Sequence, residues 1–225
     1  NIHLLIKKFG EPFIRKAVRA AMKEMGNQFV LGQSIEKAVK RGTSSQKKGY
    51  TFSYDMLGEA ALTNKDATIY TNAYAETISY LSKYCTSDDI RDNPGISIKL
   101  SALYPRYELV HKKAVLDILG NRLLDLALKA KKANMGLNID AEEAARLDLS
   151  LDIIEKVFSN PLLSGWNGFG VVVQSYSKRT LFVIDWLYAL SSKYDQKIMV
   201  RLVKGAYWDT EIKISQSEGM LDFPV

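Results

Sequence analysis

The 225-residue chain is 47% hydrophobic, enough to bury a substantial core as one globular unit. Its single cysteine excludes an internal disulfide, two histidines leave no Cys/His metal set, and no run nears the ~18 apolar residues that span a bilayer. The net charge of +6 would suit an anionic partner, but the basic residues are scattered over presumed helix faces, so charge alone decides little.

The opening stretch, NIHLLIKKFGEPF, lacks the form of a signal peptide. A start at Asn1 without methionine and a stop at EGMLDFPV read as a piece of something longer, and the single cysteine fits a reducing compartment. Residues 1–48 predict short helices. Phe13, Ala17, Ala20, Ala21 and Met25 approximate one apolar face, with Gly26 and Asn27 as its stop. Residues 41–49 are polar, with serines and glycines but no periodicity, and predict a linker. The chain therefore divides into a helical lead-in with a basic linker, 1–49, and a second part, 50–225.

From residue 50 strands alternate with helices. Residues 50–56 predict a first strand, followed by a helix through Tyr70, Tyr74, Thr77, Leu81 and Tyr84. Asp92-Asn93-Pro94-Gly95 is a strong turn, and residues 96–100 form the second strand. Val115, Leu119, Leu123, Leu126 and Ala130 then recur at helical spacing, up to a C-cap near Asn134. Residues 137–140 are the third strand, and Leu147, Leu151, Ile154 and Phe158 stripe the next helix, which stops near Pro161. Residues 169–175 make the fourth strand, before a helix marked by Val183, Leu187, Leu190 and Tyr194. Residues 197–203 make the fifth, and residues 208–217 a last helix.

This alternation indicates βαβ units and a parallel sheet, either open and doubly wound or closed as a barrel. Within the strands Ser97, Lys99 and Ser101 alternate with Ile96, Ile98 and Leu100, and Asn138 and Asp140 with Leu137 and Ile139. One face is apolar, fit for covering helices, and the other carries polar groups into an enclosed space, which favours the barrel. No G-x-G-x-x-G follows a strand, which counts against a Rossmann site.

Four of the strand-like runs end on one large polar group each: Lys99, Asp140, Gln174 and Arg201. Functional groups of a β/α barrel gather at those carboxyl ends. Cations so placed need partners or anionic ligands, and Asp55, Glu59 and Asp140 stand on neighbouring strand ends. The set reads either as a structural ion-pair ring or as a site in which one cation meets a substrate carboxylate and the other an electron-rich cofactor. Gln174 offers both a donor and an acceptor to a heterocycle. Gly205 and Ala206 allow close backbone approach, with Tyr207 and Trp208 as walls against planar rings. Two other readings stand beside this one: a Schiff-base barrel lyase using Lys99 or Lys204, and a non-catalytic basic binding segment, for which no nucleic-acid motif is present.

Together SYDMLGEAA, ISIKLSALYPRYE, NIDAEEAARLDLSLDIIE, GVVVQSYSKR and VRLVKGAYWDTEIK resemble, in order and spacing, the flavin-dependent proline dehydrogenase domain of bacterial bifunctional proline utilisation A flavoenzymes. The resemblance implies a distorted (β/α)8 TIM barrel that holds FAD and oxidises L-proline to Δ1-pyrroline-5-carboxylate, with a membrane quinone as final acceptor. It implies that Lys99 holds the proline carboxylate, that Asp140 joins its hydrogen-bond network, and that Arg201 approaches flavin N5. Val172, Gln174, Val203, Lys204, Gly205, Ala206 and Trp208 would contact the flavin, Leu202 and Tyr207 the substrate ring, and Glu59 would gate the pocket. Only about the first five βα units are expected here. The remaining strands, two further arginines, a stacking tyrosine and an aldehyde dehydrogenase module would lie in the parent chain. That parent is expected in the cytoplasm, peripherally attached to the inner membrane, and the given piece alone is expected to fold poorly or to need its missing remainder.

Overall fold

The computed structural model describes residues 10–225, which form two compact units divided after Tyr50. The part of the predicted lead-in on residues 1–9 lies outside the described residues. In the first unit, helix α1 (Glu11–Phe29) opens with Pro12 in its first turn, where the missing N–H has no intrahelical bond to lose. It does not stop at Gly26 and Asn27, as the sequence suggests. Gly26 keeps a right-handed backbone, and a glycine that only costs about 1 kcal/mol weakens a helix without ending it.

Helix α2 (Ile35–Gln46) is capped by Ser34, whose hydroxyl accepts from the Lys37 N–H. The linker predicted at 41–49 is therefore helix as far as Gln46. Ala38, Val39 and Gly42 are buried, and the Thr43 hydroxyl bonds back to the Val39 carbonyl at 3.2 Å. Polar side chains satisfied locally in this way sit in a helix despite a loop-like composition.

In the second unit five strands run parallel: β1 (Ser53–Asp55), β2 (Gly95–Ile98), β3 (Leu137–Ile139), β4 (Phe169–Gln174) and β5 (Met199–Val203). Their order across the sheet is their order in sequence. A doubly wound sheet needs a reversal of that order, whereas a barrel is wound in one direction. The fold is thus α/β of the barrel type, with five consecutive strands present. Helices α3 (Asn64–Leu81), α4 (Gly120–Lys132), α5 (Leu147–Phe158), α6 (Thr180–Tyr194) and α7 (Trp208–Ser217) follow the five strands in turn.

The period-two pattern sorts the sheet into faces. Tyr54, Ile96, Ile98, Leu137, Ile139, Phe169, Val171 and Val173 point outward and are buried among the helices. The predicted stripe of Val115, Leu119, Leu123, Leu126 and Ala130 is buried throughout, its first turn wound as a π-helical stretch at Val115–Leu119. On α5 the core face is rotated from the predicted stripe. Leu149, Ile153, Ile154, Val157 and Phe158 are buried, while Leu147 and Leu151 line a separate cavity with Val171 and Val183. The Phe158 and Phe169 rings pack at 5.3 Å between centroids and close the bottom of the outer layer.

The inner face is polar and registered. Asp55, Ser97, Asn138, Gly170 and Met199 sit side by side across the five strands. Asn138 Nδ2 donates to Ser53 Oγ at 3.3 Å, and Ser53 and Ser97 share a bond of 3.0 Å. A Cβ on Gly170 would lie 2.1 Å from Asn138 Oδ1, so only glycine leaves room for that amide. The first four strands end earlier than predicted, and β5 ends at Val203 as expected. β2 stops at Ile98 and turns into a 3-10 turn, Leu100–Ala102, which leaves Lys99 on the rim.

Candidate active site

The rim of the sheet carries a continuous ionic network. Lys99, just beyond β2, places Nζ 2.7 and 2.9 Å from the two Asp55 oxygens at the end of β1. The same ammonium lies 3.0 Å from Asp140 Oδ2, one residue beyond β3. Asp140 Oδ1 accepts from Arg201 Nη2 on β5 at 2.5 Å, and Arg201 Nη1 donates to Ser97 Oγ at 3.1 Å. Two cations and two carboxylates alternate from β1 to β5, so the network is neutral as a whole. Asp140, at its centre, is only 11% exposed at the side chain, against 47% for Asp55.

Burial and pairing act against each other here. Burial alone lowers the Lys99 ammonium, but the Asp55 hydrogen bond and the Asp140 charge outweigh it, and the net shift is upward. Lys99 is therefore held protonated. Its ion-pair stabilisation is complete below the ordinary lysine value of about 10.4 and fades only as pH rises through the higher folded value. Burial raises the Asp140 carboxyl, with Lys99 and Arg201 opposing it. Beneath them Tyr74 accepts from the Lys99 backbone N–H at 3.3 Å, and burial pushes its phenol up to about 12. Arg201 Nε is buried and makes no hydrogen bond.

On the β4–β5 side the Gln174 amide is already engaged at both ends. Its Nε2 donates to the Glu142 carbonyl at 2.9 Å and its Oε1 accepts from the Ala206 N–H at 3.2 Å. Gly205 has φ of 109°, and a Cβ there would strike the Tyr176 ring at 2.3 Å. The turn after β5 thus presses onto Tyr176 and exposes its backbone to the open space above.

These groups surround an open cleft of about 610 Å³. Glu59, Lys99, Asp140, Val172, Gln174, Arg201, Val203, Gly205, Ala206 and Tyr207 all line it, so ten of the residues singled out in the sequence converge. Burial, then the nearby Glu59 charge, raises the Tyr207 phenol. Leu202, Lys204 and Trp208 do not line it. Leu202 alternates with Arg201 and points to the outer face, 58% exposed. Lys204 is exposed and contributes its carbonyl, which accepts from Tyr176 N–H at 3.3 Å. Tyr207 and Thr210 share one side of the first turn of α7, which swings Trp208 out to 53% exposure.

Asp55, Ala141 and Thr210 line the cleft without having been chosen as site residues. Asp55 obeys the same strand-end rule as Lys99 and was legible as a partner. Nothing in the sequence marks Thr210. Among the described residues no group of His, Cys, Asp and Glu is disposed to hold a metal ion.

The sequence pattern of the proline dehydrogenase family matches residues 38–225. The bifunctional protein PutA of Klebsiella aerogenes is 49% identical over 225 residues, all of this chain and 17% of that protein. Its counterpart from Rhizobium meliloti is 51% identical over 221 residues, 98% of this chain and 18% of that one. A crystal structure of Bradyrhizobium japonicum proline utilization A superposes with a TM-score of 0.84 at 49% identity, covering 98% of this chain and 22% of the other. Proline utilization A from Bdellovibrio bacteriovorus, inactivated by N-propargylglycine, gives 0.86 at 26% identity, covering 94% and 23%. The chain spans less than a quarter of the length of each of these four relatives. With the pattern matched over residues 38–225 and a singly wound sheet whose rim gathers the expected groups, the chain belongs to the proline dehydrogenase family.

Proposed function

We propose that this chain supplies part of the site at which a longer polypeptide oxidises L-proline to Δ1-pyrroline-5-carboxylate with FAD. The observation that carries the proposal is the Asp55–Lys99–Asp140–Arg201 network on the rim of the cleft. An ammonium held protonated and a guanidinium, both paired with Asp140, suit an amino-acid carboxylate on one side and an electron-rich ring on the other.

The donor set fits a flavin. Arg201 Nε is a buried donor without an acceptor, Val172 and Val203 supply apolar surface beside it, and the Gly205–Ala206 turn permits close approach of a planar ring. Held by Arg201, Val172, Val203 and the Gly205–Ala206 turn, FAD would supply the two-electron acceptor for the oxidation, in which the proline ring carbon next to nitrogen that does not bear the carboxylate gives up a hydride and the nitrogen a proton. Lys99 binds the substrate carboxylate by exchanging the more exposed of its partners, Asp55, for it. Asp140 keeps Arg201 and Lys99 at fixed spacing, so little reorganisation is needed as charge develops. Tyr207 and Glu59 bound the mouth of the cleft. In the same proposal a membrane quinone reoxidises the flavin and an aldehyde dehydrogenase module follows in the parent chain.

The test is anaerobic addition of L-proline to the full-length protein carrying FAD. Loss of the visible absorbance of the oxidised flavin is expected, its failure to bleach being the refuting result. The Schiff-base reading makes the opposite demand, because it needs a neutral amine, and Lys99 is held protonated by Asp55 and Asp140. Borohydride with a carbonyl probe is therefore expected to leave no adduct on Lys99.

A further inference from the structure

We infer that Glu142 is a positioning residue: its buried carboxylate ties the loop after β2 to the loop after β3, its backbone carbonyl holds Gln174 of β4, and the residue so sets the spacing of Lys99, Asp140 and Gln174. The inference rests on the reaction proposed above for its kinetic consequence, and on geometry alone for the brace. Glu142 does not line the cleft, and its side chain is only 4% exposed. Its Oε1 accepts from the Ser101 backbone N–H at 2.9 Å, two residues beyond Lys99. Its Oε2 accepts from Arg146 at 3.0 Å, and its own carbonyl accepts from Gln174 Nε2 at 2.9 Å.

The ties continue on both sides. Ser101 holds the loop after β1, because its Oγ accepts from Ala60 N–H at 3.0 Å and its carbonyl from Ala61 N–H at 2.9 Å. Gln174 in turn holds Ala206 after β5. One residue, through its carboxylate on one side and its backbone carbonyl on the other, thus stands at the middle of a chain of bonds that spans all five strand ends. Side chains held this way lose little freedom on binding, and misplacement by about 1 Å can cost on the order of a hundredfold in rate.

An ordinary packing residue would be apolar, since burying a carboxylate is costly unless its bonds are worth keeping. Arg146, stacked on the Tyr107 ring at 5.2 Å, compensates the charge, and Glu143 shares the same guanidinium. What the carboxylate adds beyond that pairing is reach: an acceptor delivered to the Ser101 amide across two loops.

Two variants of the full-length holoenzyme separate reach from charge. Glu142→Gln keeps the acceptor at full length, whereas Glu142→Asp keeps the charge but retracts it by about 1.5 Å, one carbon–carbon bond. With L-proline as substrate, E142Q is expected within about threefold of the unmodified enzyme, and E142D to lose about tenfold or more in kcat with a smaller change in KM. Hydrogen–deuterium exchange of the peptide covering residues 99–104 reads the brace without turnover. It is expected to quicken about tenfold in E142D and to stay unchanged in E142Q. The reverse ordering, with the aspartate variant normal and the glutamine variant impaired, overturns the proposal, as do normal exchange and kcat in E142D. Should the unmodified enzyme fail to bleach with proline, the reaction is refuted, and the exchange measurement still judges the brace.

Discussion

At the level of single residues, the inner face of the sheet is governed by space. Gly170 abuts Asn138, so Gly170→Ala places a methyl group 2.1 Å from the amide oxygen. The expected cost is about 1–3 kcal/mol in denaturant unfolding. Asn138→Ala in the same chain should recover more than half of it, and no recovery would show that the clash is not the cause. Cys85 gives a second test at this scale. Burial pushes its thiol up to about 11, so at pH 8 about one molecule in a thousand is thiolate. Alkylation by iodoacetamide is expected to run at least about tenfold slower than for free cysteine, and to accelerate only as pH rises toward that value. A rate equal to that of free cysteine contradicts the burial.

Among the elements, α3 is the one whose start is most clearly specified. Thr63 Oγ1 accepts from Asp66 N–H at 3.1 Å, and Asp66 Oδ2 accepts from Thr63 N–H at 2.9 Å. Thr63→Ala is expected to cost about 1 kcal/mol, read as a lowered midpoint in urea, and Thr63→Ser to cost far less. This helix was legible from Tyr74, Thr77 and Leu81, all buried. The same reasoning fails at residues 41–46 because composition records the polarity of Thr43 but not its return bond to Val39. It fails for Leu202 and Trp208 because proximity in sequence to Arg201 and Tyr207 says nothing about which side of a strand or helix faces the cleft.

At the scale of the whole second unit, residues 51–225 by themselves place the fifth strand at one edge of the described sheet. Val200 and Leu202, on the outer side of that strand, are 47% and 58% exposed. An apolar edge with unpaired backbone groups invites pairing with other chains. Residues 51–225 prepared alone are expected to self-associate, seen as a concentration-dependent increase in size by light scattering. A stable monomer at about 100 μM, the order at which such edges associate in vitro, would contradict this.

Alternating apolar and polar residues were enough to fix a parallel α/β sheet and the strand ends where its chemistry lies, because period two and period 3.6 are properties of the chain itself. They also delivered Lys99, Asp140, Gln174 and Arg201 to one rim. Three matters needed the folded molecule. The direction of winding is one, since the alternation of strands with helices is the same for open and closed sheets. The pairing of Lys99 with both Asp55 and Asp140 is another. The last is the role of Glu142, whose partners lie on different loops and become neighbours only when the strands align. Local sequence sets the direction of each side chain along its own element, but distances between elements are set by packing, and chemistry depends on those distances.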